Sequence, residues 1–305
     1  MTGGTLRVRN AERPKRRLPS WLKRPMPTRG MLDTRRLLNG LRLHTVCAEA
    51  RCPNLSECWS RGTATFMILG DACTRRCHFC AVATGKPLPP DEDEPERLAE
   101  AAAHLKLRHV VITSVTRDDL PDEGAGQFAR CIRACRLKLS GATIEVLVPD
   151  FHARAELIGT VCAARPEVYN HNLETVARLQ PTVRPQARYQ RSLDVLRIAK
   201  EISPEIQTKS GVMVGLGETK DELVQAMRDL RGVDCGLLTI GQYLRPGDAQ
   251  MPVQKYYRPE EFDELAIIAE GLGFAGVASG PFVRSSYHAE TLYANTRLAW
   301  RSDRP

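Results

Sequence analysis

Short runs rich in β-branched and apolar residues recur along the chain from about residue 63, at 63–69, 109–113, 143–148, 168–170, 208–214 and 237–240. Between most of them the apolar positions shift to a three-to-four-residue spacing, at 95–107, 126–139, 190–202 and 219–231, which predicts amphipathic helices. Six strands in about 180 residues leave roughly 30 residues per unit, the length of a strand–helix–strand repeat, and the alternation predicts a parallel sheet. Thr219 with Glu222 three positions on forms a capping box for the last of these helices, directly after Gly215-Leu216-Gly217-Glu218. Pro259 opens a further helix over 259–271, and 274–278 reads as a seventh strand. No internal repeat of 20 to 50 residues is present.

Polar residues gather after each apolar run: Cys73, Cys77 and Cys80; then Thr113, Ser114, Arg117, Asp118 and Asp119; then Pro149 and Asp150; then His171, Asn172 and Glu174; then Glu218; then Gln242 and Tyr243. A (β/α) barrel assembles its site from the carboxyl ends of many strands, whereas an open doubly wound sheet uses one switch point. Contributions from six strand ends predict an α/β fold of the barrel kind, and six units instead of eight make it a partial (β/α)6 TIM-like barrel. The chain then divides into an extended basic arm over 1–30, an N-terminal extension over 31–62, the barrel over 63–245 and a C-terminal extension over 246–305.

Composition changes this picture at one end only. With 42% hydrophobic and 26% charged residues the chain is ordinarily globular. No apolar run approaches the roughly 18 residues of a membrane span, and the start lacks the ordered features of a secretory signal. A formal net charge of +8 invites a nucleic-acid reading. Residues 1–30, however, hold nine basic residues against the single acid Glu12, and 31–305 carry 35 of each sign. Pro14, Pro19, Pro25 and Pro27 prevent a continuous helix in that arm. It is acid-poor, as a transit peptide is, but also serine-poor, and reads as a solvated arm lying over the body.

Without a secretory signal, ten cysteines are ligands, reactive thiols or buried apolar groups, not a disulfide framework. Six fall in two tight groups: Cys47, Cys52 and Cys58 as C-x4-C-x5-C, and Cys73, Cys77 and Cys80 as C-x3-C-x2-C. A closed zinc site wants four ligands, usually in paired knuckles, and each group here supplies three. Three thiolates suit a [4Fe–4S] cube that keeps one iron corner open for chemistry. Cys131 and Cys135, four apart on a helix, and the isolated Cys162 and Cys235 read as packing residues. His78 lies inside the second group, where three cysteines already suffice. Gly215-Leu216-Gly217 lacks the full dinucleotide fingerprint and reads as a tight strand-to-helix turn.

The C-x3-C-x2-C loop, with Phe79 just before its last cysteine, resembles the cluster motif of radical S-adenosylmethionine enzymes. The preceding C-x4-C-x5-C group narrows the likeness to the lipoyl synthase family, which the chain resembles from about Trp21 to Ala289. Further matching segments are 62–70, 111–120, 170–175, 209–219 and 280–289, the last containing Arg-Ser-Ser-Tyr. The resemblance implies two [4Fe–4S] clusters and S-adenosyl-L-methionine as cofactors. It implies a radical sulfurtransferase that converts C–H bonds at carbons 6 and 8 of a protein-bound octanoyl-lysine into C–S bonds. Such bonds have no acidity for a base to exploit, so a 5′-deoxyadenosyl radical abstracts the hydrogen and the second cluster gives up the sulfur. It assigns Cys73, Cys77 and Cys80 to the first cluster and Cys47, Cys52, Cys58 and Ser286 to the second, with Ser285 the neighbouring alternative. An alkoxide binds iron less firmly than a thiolate, which suits a corner that must be lost.

Phe79, Asn172, Glu174, Arg184 and Lys209, at strand ends or in the following loops, are the candidates for binding S-adenosylmethionine. Implied partners are octanoylated lipoyl carrier domains, of a 2-oxoacid dehydrogenase E2 or a glycine cleavage H protein, a reductant such as flavodoxin or ferredoxin, and an iron–sulfur carrier for cluster repair. No nucleic acid and no membrane is expected, and the location is cytoplasmic, with an organelle matrix as the alternative. A biotin synthase-like sulfurtransferase and a zinc-stabilised nucleic-acid-binding protein are the competing readings. The C-x4-C-x5-C group and Arg-Ser-Ser-Tyr argue against the first, and the second calls for zinc and strongly salt-dependent binding.

Overall fold

The computed structural model describes residues 18–23 and 29–302, with side chains to residue 296. Most of the basic arm, and with it the reading of 1–30 as an extended segment, lies outside the described residues. The strands are β1 (His44–Thr45), β2 (Thr65–Ile68), β3 (Ala72–Cys73), β4 (Ala83–Thr84), β5 (His109–Ser114), β6 (Thr143–Leu147), β7 (Val168–Asn170), β8 (Gln207–Val214), β9 (Leu237–Gln242) and β10 (Gly276–Gly280). The helices are α1 (Arg29–Gly40), α2 (Val46–Glu49), α3 (Leu55–Ser60), α4 (Glu94–His104), α5 (Ala125–Lys138), α6 (Ala155–Cys162), α7 (Gln180–Val183), α8 (Tyr189–Ile202), α9 (Lys220–Gly232), α10 (Pro259–Gly271) and α11 (Ala289–Ser302).

Eight strands form one sheet in the order β1-β2-β5-β6-β7-β8-β9-β10, parallel throughout except for β1, which runs antiparallel to β2. Strands such as β2 and β9 are buried at every position, as strands covered on both faces must be. Among the described strands the sheet does not close, so the barrel is partial, as expected. It has seven parallel strands, one more than the six units counted from 63 to 245. The seventh, β10, pairs with β9 and starts two residues beyond the expected 274–278, because Phe274 is a packing residue buried under α10. The strand itself is Gly-Val-Ala-Ser-Gly, too small to make a strong apolar pattern.

Local chemistry sets the helix starts. Thr219 Oγ1 accepts from Glu222 N (3.2 Å) and Glu222 Oε2 accepts from Thr219 N (2.8 Å), the reciprocal cap that satisfies two otherwise orphaned donors. Pro259 begins α10, where its missing N–H costs nothing. Two apolar cores line the sheet, one around Phe66, Ile112, Phe128 and Val146, the other around Val212, Ile240, Phe262 and Leu265. Ahead of the barrel, α1 packs on α3 so closely that a Cβ on Gly30 would lie 2.8 Å from Ser60 O, and Thr34 Oγ1 donates to Trp59 O (2.7 Å). The pairing of β1 with Phe66 and Met67 fixes this N-terminal layer to the first barrel strand.

Candidate active site

β2 ends in two left-handed residues, Leu69 (φ 69°) and Gly70 (φ 90°), and the loop that follows carries Cys73, Cys77 and Cys80. β3 and β4 pair in parallel and clasp this loop at its base. Cys73 Sγ accepts from the backbone N–H groups of Thr116 (3.3 Å) and Arg75 (3.4 Å), which fix the sulfur's position in the loop. Arg75, between the first two cysteines, is buried and forms a bidentate pair with Asp118 (2.7 Å to each oxygen) and a bond to Asp150 (2.8 Å). This ties the loop to the carboxyl ends of β5 and β6. Burial would raise the Asp150 pKa, but the Arg75 hydrogen bond and charge hold it well below the usual carboxylate range. His78 is occupied elsewhere, its N–H donating to Val183 O (2.9 Å) and its Nδ1 meeting Thr182 O (2.7 Å).

Around this loop the structure gathers four of the five residues expected to bind S-adenosylmethionine. Phe79 packs on the apolar group of Val183, Leu216 and Tyr243. Asn172 Nδ2 donates to Glu174 Oε1 (3.0 Å), and Arg184 Nη1 donates to the carbonyls of Asn172 (3.1 Å) and Leu173 (3.4 Å). Both charged groups reach Cys77: burial pushes its thiol up, Arg184 acts against that, and Glu174 and Cys73 add to it. Burial likewise pushes the Cys80 thiol up to about 12, partly offset by a backbone hydrogen bond at Val82. Thiols held neutral this way shed their protons on binding a cationic metal centre.

Lys209 is the exception. It is the third residue of β8, inside the strand and not at its carboxyl end, with an ammonium sealed from solvent and bonded to both oxygens of Glu145 (2.8 and 3.0 Å). Asn170 and His109 complete that carboxylate's surroundings. A buried lysine keeps its charge only when paired, so this one is engaged with Glu145 in the barrel interior, away from the strand ends where the other four gather. Three other strand-end polar residues are also structural. Glu218 accepts from Gly215 N (2.6 Å) and Leu216 N (2.9 Å), holding the tight turn expected there, while Gln242 and Tyr243 bond to backbone carbonyls of 214, 243, 251 and 255. Gly215 sits at φ 104°, and a Cβ there would lie 2.5 Å from Lys255 O.

The other cysteine group lies on short elements ahead of β2. Cys47 is on α2, whose cap Thr45 accepts from Ala48 N (3.3 Å), and Cys58 is on α3. Burial pushes the Cys47 thiol up to about 11 and the neighbouring Cys52 adds to this, while Thr65 beside it acts in the opposite direction. The C-terminal segment is tied to these elements through Asn54 Nδ2 to Phe282 O (2.7 Å) and Tyr287 OH to Glu57 Oε1 (3.1 Å). Within it the two serines diverge. Ser286 Oγ accepts from Thr65 Oγ1 (2.7 Å), beside Cys47, whereas Ser285 Oγ bonds to the side-chain amide of Asn172 (2.6 and 2.9 Å). Thr65 and Arg75 were not singled out by sequence reasoning, because each matters through a partner distant in the chain.

Among the described residues, the one set of three His, Cys, Asp or Glu ligand atoms all within 4.8 Å of one another is Asp118, Glu123 and His152. Neither cysteine triad is drawn in that tightly. One tetrahedral zinc with bonds of about 2.3 Å would draw its sulfurs to roughly 3.8 Å from one another, closer than either triad is held. The Asp118 set itself sits against Arg75 and Arg154, whose charges it balances. Cys131, Cys135, Cys162 and Cys235 are all buried, as packing residues should be. No helix among the described residues is long and apolar enough to cross a membrane.

Residues 67–230 match the family model of the radical SAM superfamily, and residues 2–52 match that of the N-terminal domain of lipoyl synthase. A lipoyl synthase from Rubrobacter xylanophilus is 55% identical over 279 residues, covering 91% of this chain and 87% of the relative. Another from Caldanaerobacter subterraneus is 55% identical over 274 residues, covering 90% and 96%. Among solved structures, methylornithine synthase aligns with a TM-score of 0.54 at 11% identity over 88% of this chain and 92% of its own. The [FeFe]-hydrogenase maturase HydG aligns with 0.57 at 14% identity over 69% and 50%, and both likenesses speak to the fold alone.

Proposed function

The chain belongs to the lipoyl synthase family of radical S-adenosylmethionine enzymes, and from that premise we propose which of its residues perform the family's reaction. The enzyme inserts sulfur into an octanoyl chain held by a lipoyl carrier protein, with S-adenosylmethionine and two [4Fe–4S] clusters. When bound, the first cluster and S-adenosylmethionine supply a radical strong enough to take hydrogen from an unactivated C–H bond, and the second cluster is the co-substrate that supplies sulfur. Cys73, Cys77 and Cys80 hold the first. Cys47, Cys52, Cys58 and Ser286 hold the second.

The contact between Ser286 and Thr65, next to Cys47, is the observation that carries this reading, because it supports Ser286 over its neighbour Ser285. Asn172, Glu174 and Arg184 bind the polar part of S-adenosylmethionine beside Cys77. Phe79, with Val183, Leu216 and Tyr243, lines the apolar side and excludes water that would quench a radical. Arg75 keeps the cysteine loop in place through Asp118 and Asp150. On this reading 31–62 and 246–305 form the sulfur-donating half and 63–245 the radical-generating half. The carriers are a 2-oxoacid dehydrogenase E2 or glycine cleavage H protein, flavodoxin or ferredoxin is the reductant, and an iron–sulfur carrier rebuilds the second cluster. Ten free cysteines fit a reducing compartment such as the cytoplasm.

The test is anaerobic reconstitution with iron, sulfide, a reductant, S-adenosylmethionine and an octanoylated carrier domain. Formation of 5′-deoxyadenosine together with a carrier bearing two added sulfurs is expected. Deoxyadenosine without sulfur insertion would refute the substrate assignment.

A further inference from the structure

Two adjacent hydroxyls in the C-terminal segment point to different cysteine groups. Ser285 Oγ donates to Asn172 Oδ1 (2.9 Å) and lies 2.6 Å from Asn172 Nδ2, which donates to it. Asn172 in turn bonds Glu174 and carries Arg184 on its carbonyl, and those two charged groups flank Cys77. One residue further along the chain, Ser286 meets Thr65, which adjoins Cys47. The two groups are thus joined by a continuous run: Cys77, Arg184 with Glu174, Asn172, Ser285, Ser286, Thr65 and Cys47.

The barrel leaves room for this joint. A Cβ on Gly211 of β8 would lie 2.8 Å from Asn172 Oδ1, 2.7 Å from Thr239 Oγ1 and 3.1 Å from Ser285 Oγ, so a side chain there would displace the pair. Arg184 and the backbone of β8 hold Asn172 from behind: His171 N donates to Lys209 O and Glu174 N to Gly211 O. Asn172 is therefore a fixed post, and the segment around residue 285 is what it holds.

We propose that Ser285 is a positioning residue that sets the separation of the two cysteine groups: its bonds to Asn172 fix the register of segment 281–288 and so aim the Ser286 hydroxyl at Cys47, Cys52 and Cys58. It rests on the assignment of Ser286 to the second cluster made above. Ser285 itself touches no reacting atom. Its consequence is coupling, because a carbon radical formed on the Cys77 side must meet sulfur held at a constant distance before it is quenched.

Ser285→Ala tests this by two readouts. In the apoprotein, amide hydrogen exchange of 281–288 should quicken about fivefold, the size of one lost neutral hydrogen bond, with no change elsewhere. After reconstitution the variant should keep about eight irons, yet the sulfur inserted per 5′-deoxyadenosine formed should fall about fivefold. Adding Ser285→Ala to Asn172→Ala should change the exchange no further, since both remove the same contact. Unaltered exchange, or quicker exchange with an unaltered sulfur-to-deoxyadenosine ratio, would overturn the proposal. Loss of about four irons would also overturn it, by making Ser285 a ligand. Failure of the underlying assignment reads differently: Ser286→Ala would then keep both its irons and its sulfur insertion.

Discussion

Replacing Lys209 by methionine isolates the charge buried in the barrel. Lys209 Nζ is 2.8 and 3.0 Å from the Glu145 oxygens, and both side chains are about 1% exposed. Asn170 Nδ2 (3.1 Å) and His109 Nε2 (3.3 Å) are the carboxylate's other neighbours. Burial would raise the Glu145 pKa; the Lys209 charge and the His109 hydrogen bond and charge hold it below its ordinary value instead. Without the ammonium the carboxylate is a buried charge lacking its main counter-charge, and breaking such a pair costs about 3–5 kcal/mol. At about 2–4 °C per kcal/mol for a chain of 150–250 residues, the apoprotein should melt on the order of 10 °C lower. Lys209→Met combined with Glu145→Gln removes both charges at similar volume and should return to within about 2 kcal/mol of the parent. Affinity of that double variant for S-adenosylmethionine, measured after reconstitution, should stay within about twofold, since no contact to the cofactor is lost. Parental melting of the single variant would refute the ion-pair argument. A double variant that melts normally but binds the cofactor ten times more weakly would return Lys209 to the binding set.

The remaining expectations concern the two cysteine groups and one histidine. Cys47→Ala should keep S-adenosylmethionine cleavage, lose sulfur insertion and drop from about eight irons to about four, whereas Cys77→Ala should lose both activities; iron analysis and product assay distinguish them. Ser286→Cys should retain its irons but insert sulfur more slowly than the parent, because thiolate binds iron more firmly than alkoxide; faster insertion would contradict the labile-corner argument. His171 is buried between Val148 O (2.9 Å) and Ser192 Oγ (3.0 Å), and burial, reinforced by Arg184, lowers its pKa from 6.5 to about 4. Nδ1–H donates to that carbonyl, and in the neutral ring Nε2 accepts from the Ser192 hydroxyl. Its contribution to stability is complete above pH 6.5 and is lost as pH falls toward 4, about 2 kcal/mol by pH 5. Denaturant titrations at pH 7 and 5 should show that slope reduced in His171→Gln, and an equal slope in both proteins would count against it.

What the sequence revealed was local chemistry. The capping box at Thr219, Pro259 at the start of α10 and the parallel strands buried on both faces all follow from residues a few positions apart, and their bounds agree with the structure to within a few residues. The cysteine groups were legible for the same reason. α2, α3 and β1 span four, six and two residues and carry no periodic signal; the antiparallel pairing of β1 with β2 and the packing of α3 on α1 order them. Lys209 lies inside its strand and not at the end expected for it; its partner is 64 residues away, and a lysine in such a strand looks the same in sequence whether it meets a ligand or an acid. Arg75 stands inside the cysteine motif, yet its role depends on Asp118 and Asp150, which only the fold brings to it.

The open seam of the barrel gives the clearest link between fold and chemistry. β2 and β10 bound the parallel part of the sheet and are not paired with one another among the described strands. Segment 281–288 and α11 occupy that side: Val283 approaches Gly241 of β9 where no side chain intervenes, and α11 packs against β10 and β5. A closed barrel would have used β2's free edge for hydrogen bonds to a last strand. Here that edge pairs with β1, which leads directly into Cys47. The missing closure is therefore what admits both the second cysteine group and the serines to the same side as β2, whose carboxyl end carries the first group. The two cysteine groups are in this way built on the opposite ends of one four-residue strand, with Thr65 at one end and the loop to Cys73 at the other.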